Sequence, residues 1–338
     1  MVLMAGSMMS CTDIQGDGIN EVIWEGSVLP EDSCYRNPVW EPDLSYPTVF
    51  AAAVGYFAFG TDNEWSPGLE YTAPVLSSND LMSWRLRGEA FEEKPDWSEG
   101  KISRISAGFA KTKGTYYVFY QLGGNAIGMG GSKAPQGPYD DFGTLVTAED
   151  LGVASLSNPY FFPFGSSAYL FYNDGAGISC VELALERDTI AALDGDPFQV
   201  TGPGIESVSM TKWGNYYYLF GVVEDGDNSM ITIARAGDVD GIFLDQDNQG
   251  LLDGTGTPLL TGSAEEGFVA VNHIGGILED ANEELWIMYQ ATDVDVPQLS
   301  SGTERHPLLL TKLEFDEDGW PTDLLNPTAG WNYPKFPK

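Results

Sequence analysis

Five side chains in this 338-residue chain are spaced so that they could act together: Tyr46, Ser106, Asn158, Glu206 and His273. Each stands about ten residues before a short aromatic run, with a longer loop in the case of His273. Of the five, only Glu206 ionises in the carboxylate range, so it alone could hand a proton to a leaving oxygen. A tyrosine titrates near pH 10, so Tyr46 donates a hydrogen bond at neutral pH and does not take a proton from water. Asn158 cannot ionise. Acid–base chemistry at one centre needs a second titratable group with a separate role. Two further carboxylates are weak rescue candidates, Asp43 three residues before Tyr46 and Asp174 just after an aromatic run. Neither has the spacing shared by the five.

Other patterns carry less. Asp245-x-Asp247-x-Gln249-Gly250 begins like a calcium loop, but its twelfth position is Gly256 where an EF-hand needs Glu. The two histidines, His273 and His306, are far apart and have no Cys partner, which leaves zinc unsupported. Gly123-Gly124 and Gly128-x-Gly130-Gly131 open no helical pattern, so a phosphate loop is rejected. Of the tryptophans, Trp97, Trp213 and Trp331 read as core. Trp40 and Trp65, in loops, have faces that suit the apolar side of a sugar.

The elements that must position these residues recur five times in one order. The aromatic runs are Gly55–Gly60, Gly114–Tyr120, Ser167–Tyr172, Gly214–Phe220 and Glu284–Tyr289. Each follows a strand-like run: Pro47–Ala53, Ile105–Thr112, Pro159–Phe164, Ser207–Lys212 and Ile274–Glu279. Each precedes a third: Ala73–Ser77, Ala126–Gly130, Ile178–Leu183, Met230–Ala234 and Leu308–Leu313. The runs are short, rich in aromatic and β-branched residues, and separated by Gly, Pro, Asn and Asp, as strands are. Helical periodicity is nearly absent, with Leu183–Leu193 at most a brief turn. Radial repetition of such sheets predicts an all-β, five-bladed β-propeller, in preference to a β-sandwich. In a propeller the first strand of each blade lines the central channel, which brings the five spaced residues to one mouth. Residues 31–338 read as this single domain, after a signal and tether in 1–30.

Sixteen Lys+Arg against 50 Asp+Glu give a net charge of −34. That excludes nucleic acid, whose phosphates are bound by compensating cations, and a basic membrane-binding patch. No apolar run reaches the roughly 18–20 residues of a spanning helix. A neutral partner such as a sugar fits. The run Met1–Ser10 before Cys11-Thr12-Asp13 resembles the end of a bacterial lipoprotein signal, although no Lys or Arg precedes it. It implies the bacterial cell envelope, as an outer-membrane lipoprotein or in the periplasm, with a lipid on Cys11 as the only membrane contact. Cys34 and Cys180, 146 residues apart, form no metal motif or disulfide framework, and a single bridge between them stays open.

Several stretches resemble glycoside hydrolase family 43, the five-bladed propeller glycosidases acting on arabinose- and xylose-containing polysaccharides. They run in order from Tyr35-Arg36-Asn37-Pro38-Val39 through Pro74–Trp84, Ser132–Tyr139, Gly241–Asp247 with Leu251–Thr257, and Arg305–Leu310, to Asp316–Pro321. The resemblance implies inverting hydrolysis by an Asp base, a Glu acid and a second Asp that tunes the acid, with acid and base held apart to admit a water. At the base position, Ser45-Tyr46-Pro47, this chain has Tyr46. At the tuning position, Ser157-Asn158-Pro159, it has Asn158. The blade-two Trp-Ala-Pro-Asp is replaced by Ile105-Ser106-Ala107-Gly108, and only the acid matches, as Glu206. His273 matches a channel histidine that helps hold an ion or water, and Gln290 stands where the family has a second histidine. The implied substrate contacts are Trp40, Trp65, Ser106, Gln290 and Arg305. No cofactor is required; the resemblance allows calcium in the channel at His273. The expected function is binding of plant-type glycans with hydrolysis lost or much reduced. The alternatives are an active glycosidase using Glu206 and a displaced base, and a non-catalytic protein-interaction propeller.

Overall fold

The computed structural model describes residues 34–111, 113–185, 192–280, 282–322, 325, 327–329 and 331–332, together with strand positions 13–16, 19–24 and 27–30. Four sheets of four antiparallel strands form blades one to four. From the centre outward, blade one is Thr48–Ala52, Gly55–Phe59, Pro74–Ser78 and Trp84–Glu89. Blade two is Ile102–Ala110, Thr115–Leu122, Ala126–Ser132 and Asp140–Thr147. Blade three is Ser157–Phe164, Ser167–Asn173, Ile178–Ala184 and Ala192–Gln199. Blade four is Ser207–Trp213, Tyr216–Val223, Met230–Ala236 and Thr257–Thr261. Blade five has three strands of its own, Phe268–Glu279, Leu285–Asp293 and Leu308–Leu313. The arrangement is the five-bladed propeller expected. All fifteen strand-like runs form strands, within four residues at each end, except that blade five begins at Phe268 and not Ile274.

Five apolar clusters occupy the five interfaces between neighbouring blades. The second strand of blade two shows why the aromatic runs look continuously apolar. Tyr116, Val118 and Tyr120 pack toward blade one, whereas Tyr117 and Phe119 pack toward blade three. Successive side chains point to opposite faces, and here both faces are buried, so no polar alternation survives. The outer strands have one wet side, as the pattern of Trp84–Glu89 shows, and this is why they give no aromatic signal.

The ring closes with the start of the chain. Val39 and Trp40 donate backbone N–H groups to the Leu308 carbonyl, and Leu308 N–H donates to Trp40. The Asn37 carboxamide does the same with Leu310, donating to its carbonyl at 2.9 Å and accepting from its N–H at 2.8 Å. The open edge of blade five is thereby satisfied, as an exposed edge otherwise would not be.

The glycine-rich stretch is a packing device. A Cβ on Gly128 would lie 2.5 Å from Trp97 and 2.9 Å from Tyr120. Gly128→Ala is expected to destabilise the fold by about 1–3 kcal/mol through overpacking, read as a lower denaturant midpoint. The aspartates also have local work. Asp80, Asp245, Asp280 and Asp316 each accept two backbone N–H groups from the turn that follows them. In Asp245 this engages Oδ1 of the first carboxylate of the calcium-like loop. Among the described residues no group of three or more His, Cys, Asp or Glu converges on a metal site, and no helix is long and apolar enough to cross a membrane.

Residues 13–30, read as tether, carry a small three-stranded antiparallel sheet. Cys11 lies outside the described residues. Trp331 lies in a short strand paired with Tyr35–Arg36. Cys34 and Cys180 are both buried, with no disulfide between them. Burial pushes the Cys180 thiol well up, so it stays protonated.

Candidate active site

The inner strands deliver their first residues to one mouth, as the blade repeat requires. Tyr46 lies just before the inner strand of blade one and Asn158 is the second residue of that of blade three, each before a proline and each in left-handed backbone, at φ 47° and 51°. For a non-glycine residue this conformation costs about 1–3 kcal/mol and is kept only where surroundings enforce it. At Tyr46 the enforcement is visible. Its N–H donates to Gln290 Oε1 at 2.6 Å, and Gln290 donates in turn to Asn272 Oδ1 at 2.7 Å. Gln290 is fully buried opposite His273 in the blade-five ladder. Its part is therefore to hold the backbone of Tyr46.

Arg104, on the inner strand of blade two, ties the mouth together. Its guanidinium lies 3.4 Å from the centroid of the Tyr46 ring. Its Nε–H donates to Asn158 Oδ1 at 2.5 Å. Asn158 then donates to the Glu206 carbonyl at 2.8 Å. Four blades are thus joined by a stack and two hydrogen bonds. Blade five adds His273, whose ring meets the Tyr46 ring edge-on at 5.5 Å.

His273 Nε2–H donates to the Pro47 carbonyl at 3.0 Å, which leaves Nδ1 unprotonated. Burial lowers its pKa from 6.5 to about 3, and the charge of Arg104 adds to the shift. Burial likewise lowers His306, with Arg104 acting in the same direction and Asp43 and Glu304 opposing. A histidine held neutral in the fold but free to charge when unfolded makes stability fall as pH drops through that interval. Melting temperature is therefore expected to decline from pH 6.5 to pH 5, before most carboxylates titrate, and the slope should flatten in His273→Gln.

Glu206 sits at the start of blade four, its N–H bonded to Val222 and its carboxylate accepting only from Asn173 Nδ2, at 3.4 Å, among the described residues. Glu224, just past the second strand of the same blade, shares the rim. Its pKa is raised by desolvation and then by the Glu206 charge, with Arg104 opposing. Glu206 and Glu224 stand on neighbouring strands of one blade, so they lie on one side of the mouth and do not flank it.

The rescue carboxylates are committed elsewhere. Asp43 is fully buried. It accepts from His306 N–H at 2.7 Å, Asn63 Nδ2 at 2.9 Å, Ser45 N–H at 3.2 Å and the Ser45 hydroxyl at 2.9 Å. No lone pair is left to activate a water. Asp174 accepts from Ala176 N–H and the Ser179 hydroxyl within its own turn.

Several expected substrate contacts are likewise bound into the fold. Arg305 is buried, pairs with Glu41 and Asp293, and donates to the carbonyls of Pro42 and Val296. Trp65 is buried against Tyr71 at 4.4 Å, with half-buried Trp40 at 6.1 Å and bonded to the Asp43 carbonyl. Ser106 accepts from Phe161 N–H and lines a channel cavity with Arg104, Asn158 and His273. That cavity offers about 20 Å³ to water, enough for one molecule and far below the ~300 Å³ of a small-ligand pocket. Calcium, which takes six to eight oxygens, does not fit a lining with no carboxylate and a guanidinium in it. Arg104 and Glu224 were missing from the sequence reading. Strand alternation places Arg104, two residues before Ser106, on the same face, which was the available signal; Glu224 had none.

The Glycosyl hydrolases family 43 profile matches residues 35–321. The extracellular endo-α-(1→5)-L-arabinanase 1 of Bacillus subtilis (strain 168) is 24% identical over 303 residues, which is 82% of this chain and 87% of that protein. The Cellvibrio cellulosa α-L-arabinanase complexed with arabinohexaose superposes with a TM-score of 0.65 at 20% identity, covering 83% of this chain and 95% of that one. The Bacteroides ovatus xyloglucan GH43B structure gives 0.69 at 19% identity over 90% of this chain, which spans 59% of that structure's length. The chain belongs to glycosyl hydrolases family 43.

Proposed function

We propose that this propeller binds an arabinose- or xylose-containing glycan at its channel mouth and has lost most or all hydrolysis. The observation that carries this reading is the Tyr46–Arg104–Asn158 assembly. Two neutral side chains and a cation stand at the blade-one to blade-three side of the mouth, and the channel cavity that Arg104 and Asn158 line has room for about one water. Glu206 could protonate a leaving oxygen, but no described residue across from it is placed to take a proton from water, which typically costs 10²–10⁴-fold. The extracellular arabinanase relative and the arabinohexaose complex support the choice of glycan and a location outside the cytoplasm. A lipid on Cys11 would be read by mass spectrometry of the mature N-terminus.

One observation favours a second reading, a working glycosidase. Glu224 is a further carboxylate coupled to Glu206. A panel of aryl arabinofuranosides, aryl xylosides, arabinan and xylan separates the two, with calorimetry on the same oligosaccharides. Saturable binding without turnover is expected. Turnover that disappears in both Glu206→Gln and Glu224→Gln would establish the second reading, and the absence of any glycan binding would defeat the first.

A further inference from the structure

Among the described residues Arg104 makes no ion pair in the mouth of the channel, although its charge reaches Glu224. Its Nε–H goes to Asn158 Oδ1 and one terminal N–H goes to the Ser103 carbonyl at 2.6 Å. A guanidinium has five N–H donors, so three have no acceptor among the described residues. Its fixed neighbours, the Tyr46 ring and the Asn158 amide, are both neutral. They set its orientation without neutralising it. Glu206 and Glu224 are on blade four, and neither makes an ion pair with Arg104, whose polar partners among the described residues are Asn158 and Ser103. The nearby histidines are held neutral chiefly by burial, and the charge of Arg104 adds to that. In a chain of net charge −34, an oriented and unpaired guanidinium is a binding group waiting for an anion. Arginine takes a carboxylate through parallel N–H groups with geometric specificity.

From this we infer that the mouth takes a carboxylate-bearing sugar, a uronic acid residue within the glycan. Its carboxylate pairs with the free N–H groups of Arg104, and its hydroxyls donate to Glu206 and Glu224 on the opposite rim. The small channel cavity means that the residue docks on the mouth and is not swallowed by it. The inference rests on the glycan-binding reading above.

Calorimetry at low salt with three ligands tests it: a xylo-oligosaccharide carrying one uronic acid, the same oligosaccharide with that carboxyl reduced to the alcohol, and sodium acetate. The acidic oligosaccharide is expected to bind at least about tenfold tighter than its neutral counterpart. The ratio should shrink in about 0.5 M salt and vanish in Arg104→Gln. Arg104→Lys should recover part of it, keeping the charge but not the fork. Equal affinities for the acidic and neutral oligosaccharides in the wild type would overturn the inference and leave glycan binding standing. No binding of either would overturn both. Acetate binding as tightly as the acidic oligosaccharide would replace the sugar site by a small-anion site. The wild-type comparison needs no variant to fold.

Discussion

The double variant Tyr46→Asp, Asn158→Asp is expected to hydrolyse an aryl arabinofuranoside or xyloside about 10²–10⁴-fold faster than the wild type, the usual yield of one positioned general base. The change acts twice at Tyr46. It removes the ring that stacks on Arg104 at the mouth, and it puts an ionisable group where the phenol stood. Arg104, now between two carboxylates, favours their charged form, and a base must be charged to take a proton. Inverting chemistry further needs the new base and Glu206 about 6.5–9.5 Å apart. The gain should disappear when Glu206→Gln is added. A folded double variant with no gain would mean that carboxylates at these two positions do not limit hydrolysis by this propeller.

Asp43→Ala is expected to be the most destabilising single change around the mouth. The buried carboxylate accepts from His306 N–H, Asn63 Nδ2, Ser45 N–H and the Ser45 hydroxyl. His306 precedes the last strand of blade five, and Asp43 follows the segment that fills its open edge, so these bonds fasten the ring closure. Removing the acceptor leaves several buried donors unpaired at roughly 1–3 kcal/mol each. A total of about 3–5 kcal/mol is expected, read by chemical denaturation. Asp43→Asn should cost nearly as much, because its amide sets a donor against donors. A loss under about 1 kcal/mol would show that water replaces the carboxylate and that the clasp is not structural.

The fold was legible because the repeat is written in the core. Runs such as Thr115-Tyr116-Tyr117-Val118-Phe119-Tyr120 are buried on both faces, and that requirement leaves a mark no loop produces. The fourth strands left none, since one face is wet. The closing segment Tyr35–Leu44 was recognisable only by resemblance, because Asn37 imitates a ladder pair with its side chain.

At the mouth the division is finer. Sequence determined which residue types stand at the five blade starts, and so that Tyr46 and Asn158 stand where the family resemblance implies ionisable groups, with Glu206 at the acid position. Chemistry follows from residue type, and residue type is local. Tertiary structure alone decided what those residues do to one another. Arg104 lies 58 residues from Tyr46 and 54 from Asn158, yet it stacks on one and bonds the other. Arg305 and the Trp40–Trp65 pair, suited by type to a sugar, are bound into the scaffold instead. Spacing along a strand fixes the face on which a side chain emerges. Which partner it meets there depends on blades brought together from distant parts of the chain, and no local pattern encodes that meeting.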